Sequence, residues 1–247
     1  MRIWTIADLH LSFGVSNKSM DYFGPAWAGH AEKIAANWLS VVHPEDLVLI
    51  PGDISWAMKL EEAIADLLWI HQLPGTKVLL KGNHDYWWGS LNKVTSVLPP
   101  SIHVIQNNVF NWKDVTIGGA RLWDTPEYTF HPYIDFQENP REKTKDPSQA
   151  DVSDQIYERE LQRLEMSVKG LRADASLRIA MTHYPPIGPN HKPSRASAIL
   201  EKYGVQICVF GHLHNLKAGL DLFGEFNHIR YILAACDYTR FQLVPIR

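Results

Sequence analysis

Cysteine is nearly absent. The 247 residues contain two, Cys208 and Cys236, each in an apolar strand-like stretch and neither in a Cys-x-x-Cys pair. A disulfide-stapled fold, a zinc ribbon and a dithiol redox site are excluded by that, and both residues read as reduced core thiols. Long apolar runs are missing too. No uninterrupted stretch approaches the roughly 18 residues that cross a bilayer, and a strand begins at Arg2, which leaves no room for a charged and apolar leader. The expectation is a cytoplasmic protein with no membrane anchor. Positive charge is not in excess, since 24 Lys and Arg face 27 Asp and Glu for a formal charge of −3. That argues against nucleic acid as a partner and against a polybasic lipid-binding stretch, while leaving room for a local positive site. Internal repeats are absent.

What is present is a large apolar fraction, 45%, enough for one core, so residues 1–247 are read as a single domain. Apolar runs of strand length alternate with segments of helical period, which favours an α/β architecture. Ile3 to Ala7, Leu47 to Ile50, Val78 to Leu80, Val115 to Ile117, Ile179 to Thr182 and Ile207 to Phe210 read as buried strands. Ala31, Ile34, Ala35, Trp38, Leu39 and Val42 recur at spacings of three and four, as do Leu60, Ala63, Ile64, Leu67 and Leu68, and each set predicts an amphipathic helix. A third helix is expected from about Val152 to Gly170, with Tyr157, Leu161, Leu164 and Val168 on its apolar stripe and a solvated charged face. Two late strand candidates, Ile229 to Ala235 and Phe241 to Ile246, have no helix between them and suggest antiparallel pairing. From 124 to 150 the sequence loses periodicity and becomes polar and proline-punctuated, a loop insertion long enough to serve as a lid.

Five polar clusters punctuate this pattern: Asp8-Leu9-His10, Gly52-Asp53, Gly82-Asn83-His84-Asp85, Thr182-His183-Tyr184 and Gly211-His212-Leu213-His214. Each sits at or near the end of a strand candidate. Open α/β sheets bind ligands at the carboxyl ends of their strands, so all five can converge on one edge. Together they offer two carboxylates, an amide oxygen and several imidazoles, a donor set suited to two divalent cations with positions left open for water and phosphate.

These blocks, in this order, resemble the calcineurin-like metallophosphoesterase superfamily, and the match from residue 8 to residue 214 misses no ligand. The resemblance implies a four-layer α/β/β/α sandwich of two mixed sheets with the metal site at the carboxyl ends of the strands. It also implies that Asp8, His10, Asp53 and His214 hold one metal and Asp53, Asn83, His183 and His212 the other, the Asp53 carboxylate bridging. A bridging hydroxide would attack phosphorus. His84 would protonate the leaving oxygen, with Asp85 orienting its ring. Mixed oxygen and nitrogen ligands suit manganese, iron or zinc.

Ser/Thr protein phosphatases of the superfamily carry an Asp-Arg-Gly extension and a glycine after Asp-x-His, whereas here Asp53 precedes Ile54-Ser55-Trp56 and His10 precedes Leu11. The chain looks more like the bacterial-type group of phosphodiesterases and small-molecule phosphatases. The expected substrate is therefore a small phosphomonoester or phosphodiester. A nuclease is the alternative enzyme, and a non-catalytic metal-binding scaffold the alternative class. Arg121 and Trp87 are candidate substrate contacts, although core packing is the simpler account of Tyr86-Trp87-Trp88, and Trp56 carries the same ambiguity. No oligomeric state follows from the pattern.

Overall fold

The computed structural model describes residues 1–16, 18–135 and 148–247. In the first half, β1 (Ile3–Thr5), β2 (Leu47–Pro51), β3 (Thr76–Leu80) and β4 (Ile102–Ile105) run parallel, and β11 (Val244–Pro245) lies antiparallel on the free side of β1. Strand alternation divides their side chains between two faces. On β2, Leu47 and Leu49 point into one apolar cluster, while Val48 and Ile50 point into another with Ile34 and Trp38 of α1 (His30–Val41) and Leu67 and Ile70 of α2 (Leu60–Gln72). A strand buried on both faces favours a near-continuous apolar run, and β2 is one, Leu-Val-Leu-Ile.

The second sheet has the order β5 (Phe110–Trp112), β6 (Val115–Ala120), β7 (Leu177–Thr182), β8 (Ile207–Phe210), β10 (Ile229–Leu233), β9 (Glu225–Phe226). Its strands β6, β7, β8 and β10 are parallel, and β5 and β9 pair antiparallel at the edges. Ile117, Ile179, Met181 and Val209 meet Leu47, Leu49 and Val78 between the sheets. The outer face is covered by α4 (Ser148–Val168) and α5 (Arg195–Lys202), through Tyr157, Leu161, Leu164, Ala196 and Leu200. The four-layer sandwich of two mixed sheets is thus present.

Several expectations change in detail. The two late strands do not pair with each other: β10 joins β8 in parallel and β11 joins β1 antiparallel, so the chain crosses from one sheet to the other between them. The strands β4, β5 and β9 and the helices α3 (Leu91–Thr95) and α5 were not anticipated. Helix α5 starts at a reciprocal cap, Ser194 Oγ accepting from the Ser197 N–H and Ser197 Oγ from the Ser194 N–H, a weaker sequence signal than the usual Glu at the third position. The charged face of α4 is not wholly solvated, because Glu160 is buried. Of the expected loop insertion, residues 136–147 lie outside the described residues, and with them most of the lid expectation. Residues 124–135 pack on the second half: Tyr128 donates to the Pro185 carbonyl at 2.6 Å and the Asp135 N–H to Asn215 O at 2.8 Å. Both cysteines are free and buried. Among the described residues no helix is long and apolar enough to cross a membrane.

Candidate metal centre

The parallel strands of both sheets end on the same side, and the polar clusters extend them as loops laced together by backbone hydrogen bonds. The Asp8, His10 and Leu11 N–H groups donate to Gly52, Asp53 and Ile54 carbonyls at 3.0, 3.0 and 2.9 Å, so the first two loops continue the β1–β2 pairing beyond the sheet. The second sheet is tied in by Gly211 N–H to His183 O at 3.1 Å and by His212 N–H to both Asp8 carboxylate oxygens at 3.1 Å. Asp8, His10, Asp53 and His212 all have positive φ, at 59°, 44°, 51° and 73°. Side chains other than glycine rarely adopt that conformation, and where they do the surrounding structure must hold them there. Four strained residues in one cluster mark it as built for something other than stability.

The donor atoms converge. One group consists of Asp8, His10 and His214, another of Asp8, Asp53 and His183, each with ligand atoms within 4.8 Å of one another. Asp53 Oδ2 lies 3.7 Å from His10 Nε2 and 3.5 Å from His183 Nε2, between the two groups. His10 Nε2 and His214 Nε2 face each other at 3.4 Å, and Asn83 Oδ1 lies 2.7 Å from His183 Nε2 and 3.0 Å from His212 Nδ1. Every residue expected as a ligand is therefore in the cluster. Asp8, His10, Asp53 and His183 are almost fully buried.

Burial pushes the Asp8 carboxyl up to about 7 against the pull of His214 and His183. Burial acts the same way on Asp53, but His183 and His10 outweigh it and hold that carboxyl well below its usual range. Burial alone would lower His183 and His214; Asp53 raises the first and Asp237 the second, each to about 9. The carboxylates thus call for positive charge at two points of a buried site. Burial drives His10 and His212 well below their usual value, which keeps their imidazoles neutral as ligands require. Buried carboxylates, neutral imidazoles and an amide oxygen converging in this way fit divalent transition-metal ions.

Two expectations are corrected by geometry. Asp85 does not touch the His84 ring: its carboxylate accepts from the Ile54, Ser55 and Gly82 N–H groups and from Trp87 Nε1 at 2.8 to 3.1 Å, and so fastens the Asn83 loop to the Asp53 loop. The His84 Nδ1 atom is buried without a hydrogen-bond partner. Trp87 is in the core, with its indole on Asp85, and is not a surface for substrate. Arg121 follows β6 as expected, but its guanidinium pairs with Glu160 and lies over the Trp123 ring, with no hydrogen bond to the ligand residues.

Aromatic residues do border the ligands: Tyr184 lies 3.9 Å from the His212 ring, Trp27 meets His10 and His214 edge-on, and Trp56 is stacked on His10 at 4.8 Å and 4.6 Å from the His84 ring, with the exposed Phe23 parallel to it at 6.4 Å. Sequence reasoning missed Asp237. It follows β10 as the other clusters follow their strands, accepts from His214 Nδ1 at 2.9 Å and from the Asn215 N–H at 3.1 Å, and so fixes the ring with Nε2 toward Asp8. A carboxylate behind a ligand histidine typically contributes 10- to 100-fold in metal affinity. Asp237→Asn is expected to weaken Mn²⁺ binding by about that factor, read by competition with a fluorescent chelator, with circular dichroism unchanged; unaltered affinity would remove Asp237 from the site.

The calcineurin-like phosphoesterase family model matches residues 1–216. A curated relative, the gene 66 protein of Mycobacterium phage D29, is 36% identical over 83 residues, which span 34% of this chain and 40% of that protein. Among solved structures, the phosphopantetheinyl hydrolase of Mycobacterium tuberculosis aligns with TM-score 0.51 at 13% identity over 99% of this chain and 95% of its own. A protein of unknown function from Aquifex aeolicus aligns with TM-score 0.50 at 18% identity over the same shares. At these identities the structural likenesses speak for the fold. With the family match over most of its length and the convergent donor set at its strand ends, the chain belongs to the calcineurin-like phosphoesterase family.

Proposed function

We propose that the protein hydrolyses small phosphomonoesters or phosphodiesters at a centre of two divalent cations, manganese, iron or zinc. The observation that carries this reading is the pair of donor groups sharing Asp8, with Asp53 Oδ2 between them at 3.7 and 3.5 Å from His10 and His183. Asp8, His10, Asp53 and His214 would hold one ion and Asp53, Asn83, His183 and His212 the other. Such ions supply Lewis-acid activation of water and of the phosphoryl oxygens.

The chain's own groups do the rest. Asp237 sets the His214 ring and Asp85 the Asn83 loop. The His84 N–H donates to Asp53 Oδ1 at 2.8 Å, so the backbone that positions Asp53 also fixes the root of the His84 side chain. The His84 imidazole lies beside the cluster, 5.7 Å from the His10 ring and 4.6 Å from Trp56. It is the group placed to give a proton to the leaving oxygen. Trp56, in contact with both rings, then meets the organic part of that leaving group, which makes aryl esters suitable probes.

Chelated protein reconstituted with Mn²⁺ is expected to hydrolyse nitrophenyl phosphate or bis(nitrophenyl) phosphate; inactivity with Mn²⁺, Fe²⁺ and Zn²⁺ alike would refute the reading. His84→Asn is expected to lower kcat on an alkyl phosphate by about 10²- to 10⁴-fold and on the nitrophenyl ester by much less, because nitrophenolate leaves without a proton. Its metal content should match wild type. Equal losses on both esters would take His84 out of the acid role.

A further inference from the structure

Where β3, β4 and β6 end, the structure contains a cavity of ≈ 170 Å³ whose lining includes Lys81, Arg121, Arg163 and Glu160. That is room for several waters or one tetrahedral anion. Three cations face one carboxylate there, an excess of two positive charges in a protein whose formal net charge is −3. Glu160 is buried and shared, 3.3 Å from Arg121 Nη2 and 2.6 Å from Arg163 Nη1, so it orients both guanidinium groups but neutralises only one. The Arg121 plane is fixed from its other side by the Trp123 ring, 4.5 Å away, and Arg121 Nε is buried with no partner. Lys81 Nζ donates to one group, the Trp88 carbonyl at 2.9 Å, which leaves two of its protons uncommitted. The floor is apolar, formed by Leu80, Ile105 and Ala120, all buried. Unneutralised charge over an apolar floor is costly, and a bound anion relieves it.

The placement ties the cavity to the chemistry. Lys81 stands two residues before Asn83 on the same strand end, and the Arg121 carbonyl accepts from the N–H groups of His183 and Tyr184 at 3.0 Å. The backbone that holds the ligands also holds the cations.

We propose that this cavity binds a second anionic group of the substrate, a phosphate or carboxylate distinct from the ester that is cleaved, with Lys81, Arg121 and Arg163 as its contacts. The proposal rests on the phosphoesterase reading above and narrows it to substrates with two anionic groups. Planar guanidinium groups fixed by a shared carboxylate and an aromatic face suit an oxyanion, to which they offer paired N–H donors.

The test uses the full-length, Mn²⁺-loaded protein and compares n-butyl phosphate with alkanediol bisphosphates of increasing chain length at constant ionic strength. At least one bisphosphate is expected to show a KM about tenfold lower than the monophosphate. That advantage should vanish in Lys81→Met and in Arg163→Met and return in Lys81→Arg. Alongside, crystals of the loaded protein grown with tungstate should show tungsten between Lys81, Arg121 and Arg163, and lose it in Lys81→Met. Equal KM values across the series, or an advantage that survives both methionine variants, would overturn the proposal; so would tungstate in the cavity with no substrate advantage, which would mark an adventitious ion only. If no ester is turned over at all, the phosphoesterase reading fails instead, and tungstate absent from the cavity would then defeat the anion site on its own evidence.

Discussion

Asp53→Asn is expected to lower turnover of nitrophenyl phosphate by about 10³-fold and to abolish the rise in Tm that Mn²⁺ gives the wild type. The asparagine keeps the shape and one oxygen, so the bond from the His84 N–H to Oδ1 survives. The other oxygen, Oδ2, is replaced by an amide that donates where it should accept, facing His10 Nε2 and His183 Nε2. Both donor groups lose their common anionic neighbour, and bound ions lose charge compensation in a buried site where it counts most. Stability in chelator should fall modestly, because His183 and His10 lose the carboxylate they hold in its charged form, and relief of the repulsion between Asp8 and Asp53 offsets only part of that. Any ligand that binds only the native state raises its Tm by mass action, so the contrast between chelator and Mn²⁺ separates loss of metal from loss of fold. Wild-type activity in Asp53→Asn, or a metal-induced Tm rise equal to wild type, would contradict the assignment.

Gly82→Ala is expected to be almost as damaging, although it adds a single methyl group. A Cβ at residue 82 would lie 2.1 Å from Asp53 Oδ1 and 2.2 Å from the Asp53 nitrogen. Neither atom belongs to a flexible side-chain end, since Asp53 is buried and its backbone is already strained at positive φ. One of the two ligand loops has to move. Overpacking of this kind costs about 1 to 3 kcal/mol, while displacing a catalytic group by an ångström costs on the order of 10²-fold in rate. Activity should therefore drop about 10²-fold with a modest fall in Tm. Gly89→Ala is the matched control, because its Cβ would meet only the Lys93 Cδ at 3.7 Å. Similar kinetics for the two variants would show that close packing at Gly82 does not set the site.

The features of the fold and site legible in the sequence are those encoded by local pattern. Apolar runs identified the central strands because strands buried on both faces are mostly apolar, and Leu47 to Pro51 is such a strand. The ligands were legible because each follows such a run. Asp237 follows one too, after Ile229–Leu233, and was missed because it stands alone, without the glycine or histidine that flagged the other clusters. Partnerships across the fold were not legible. Asp85 is adjacent to His84 in the chain yet bonds to Ile54, Ser55 and Gly82, and Trp87 turns inward with it. Glu160 reads as one charge on a surface helix until β6 brings Arg121 against it. Sheet assignment was equally non-local: β10 and β11 are near neighbours in sequence but join different sheets, because the loop from Ala234 to Leu243 carries the chain past Asp8.

The role proposed for the converged strand ends is to hold two divalent cations that carry out phosphoester hydrolysis. Its most direct test is a titration of chelated protein with Mn²⁺, following bound metal and nitrophenyl phosphate turnover in the same samples. No activity is expected without metal, with activity rising with occupancy and saturating at two ions per chain. Turnover that persists in the chelated protein, or saturation of binding without turnover, would contradict it.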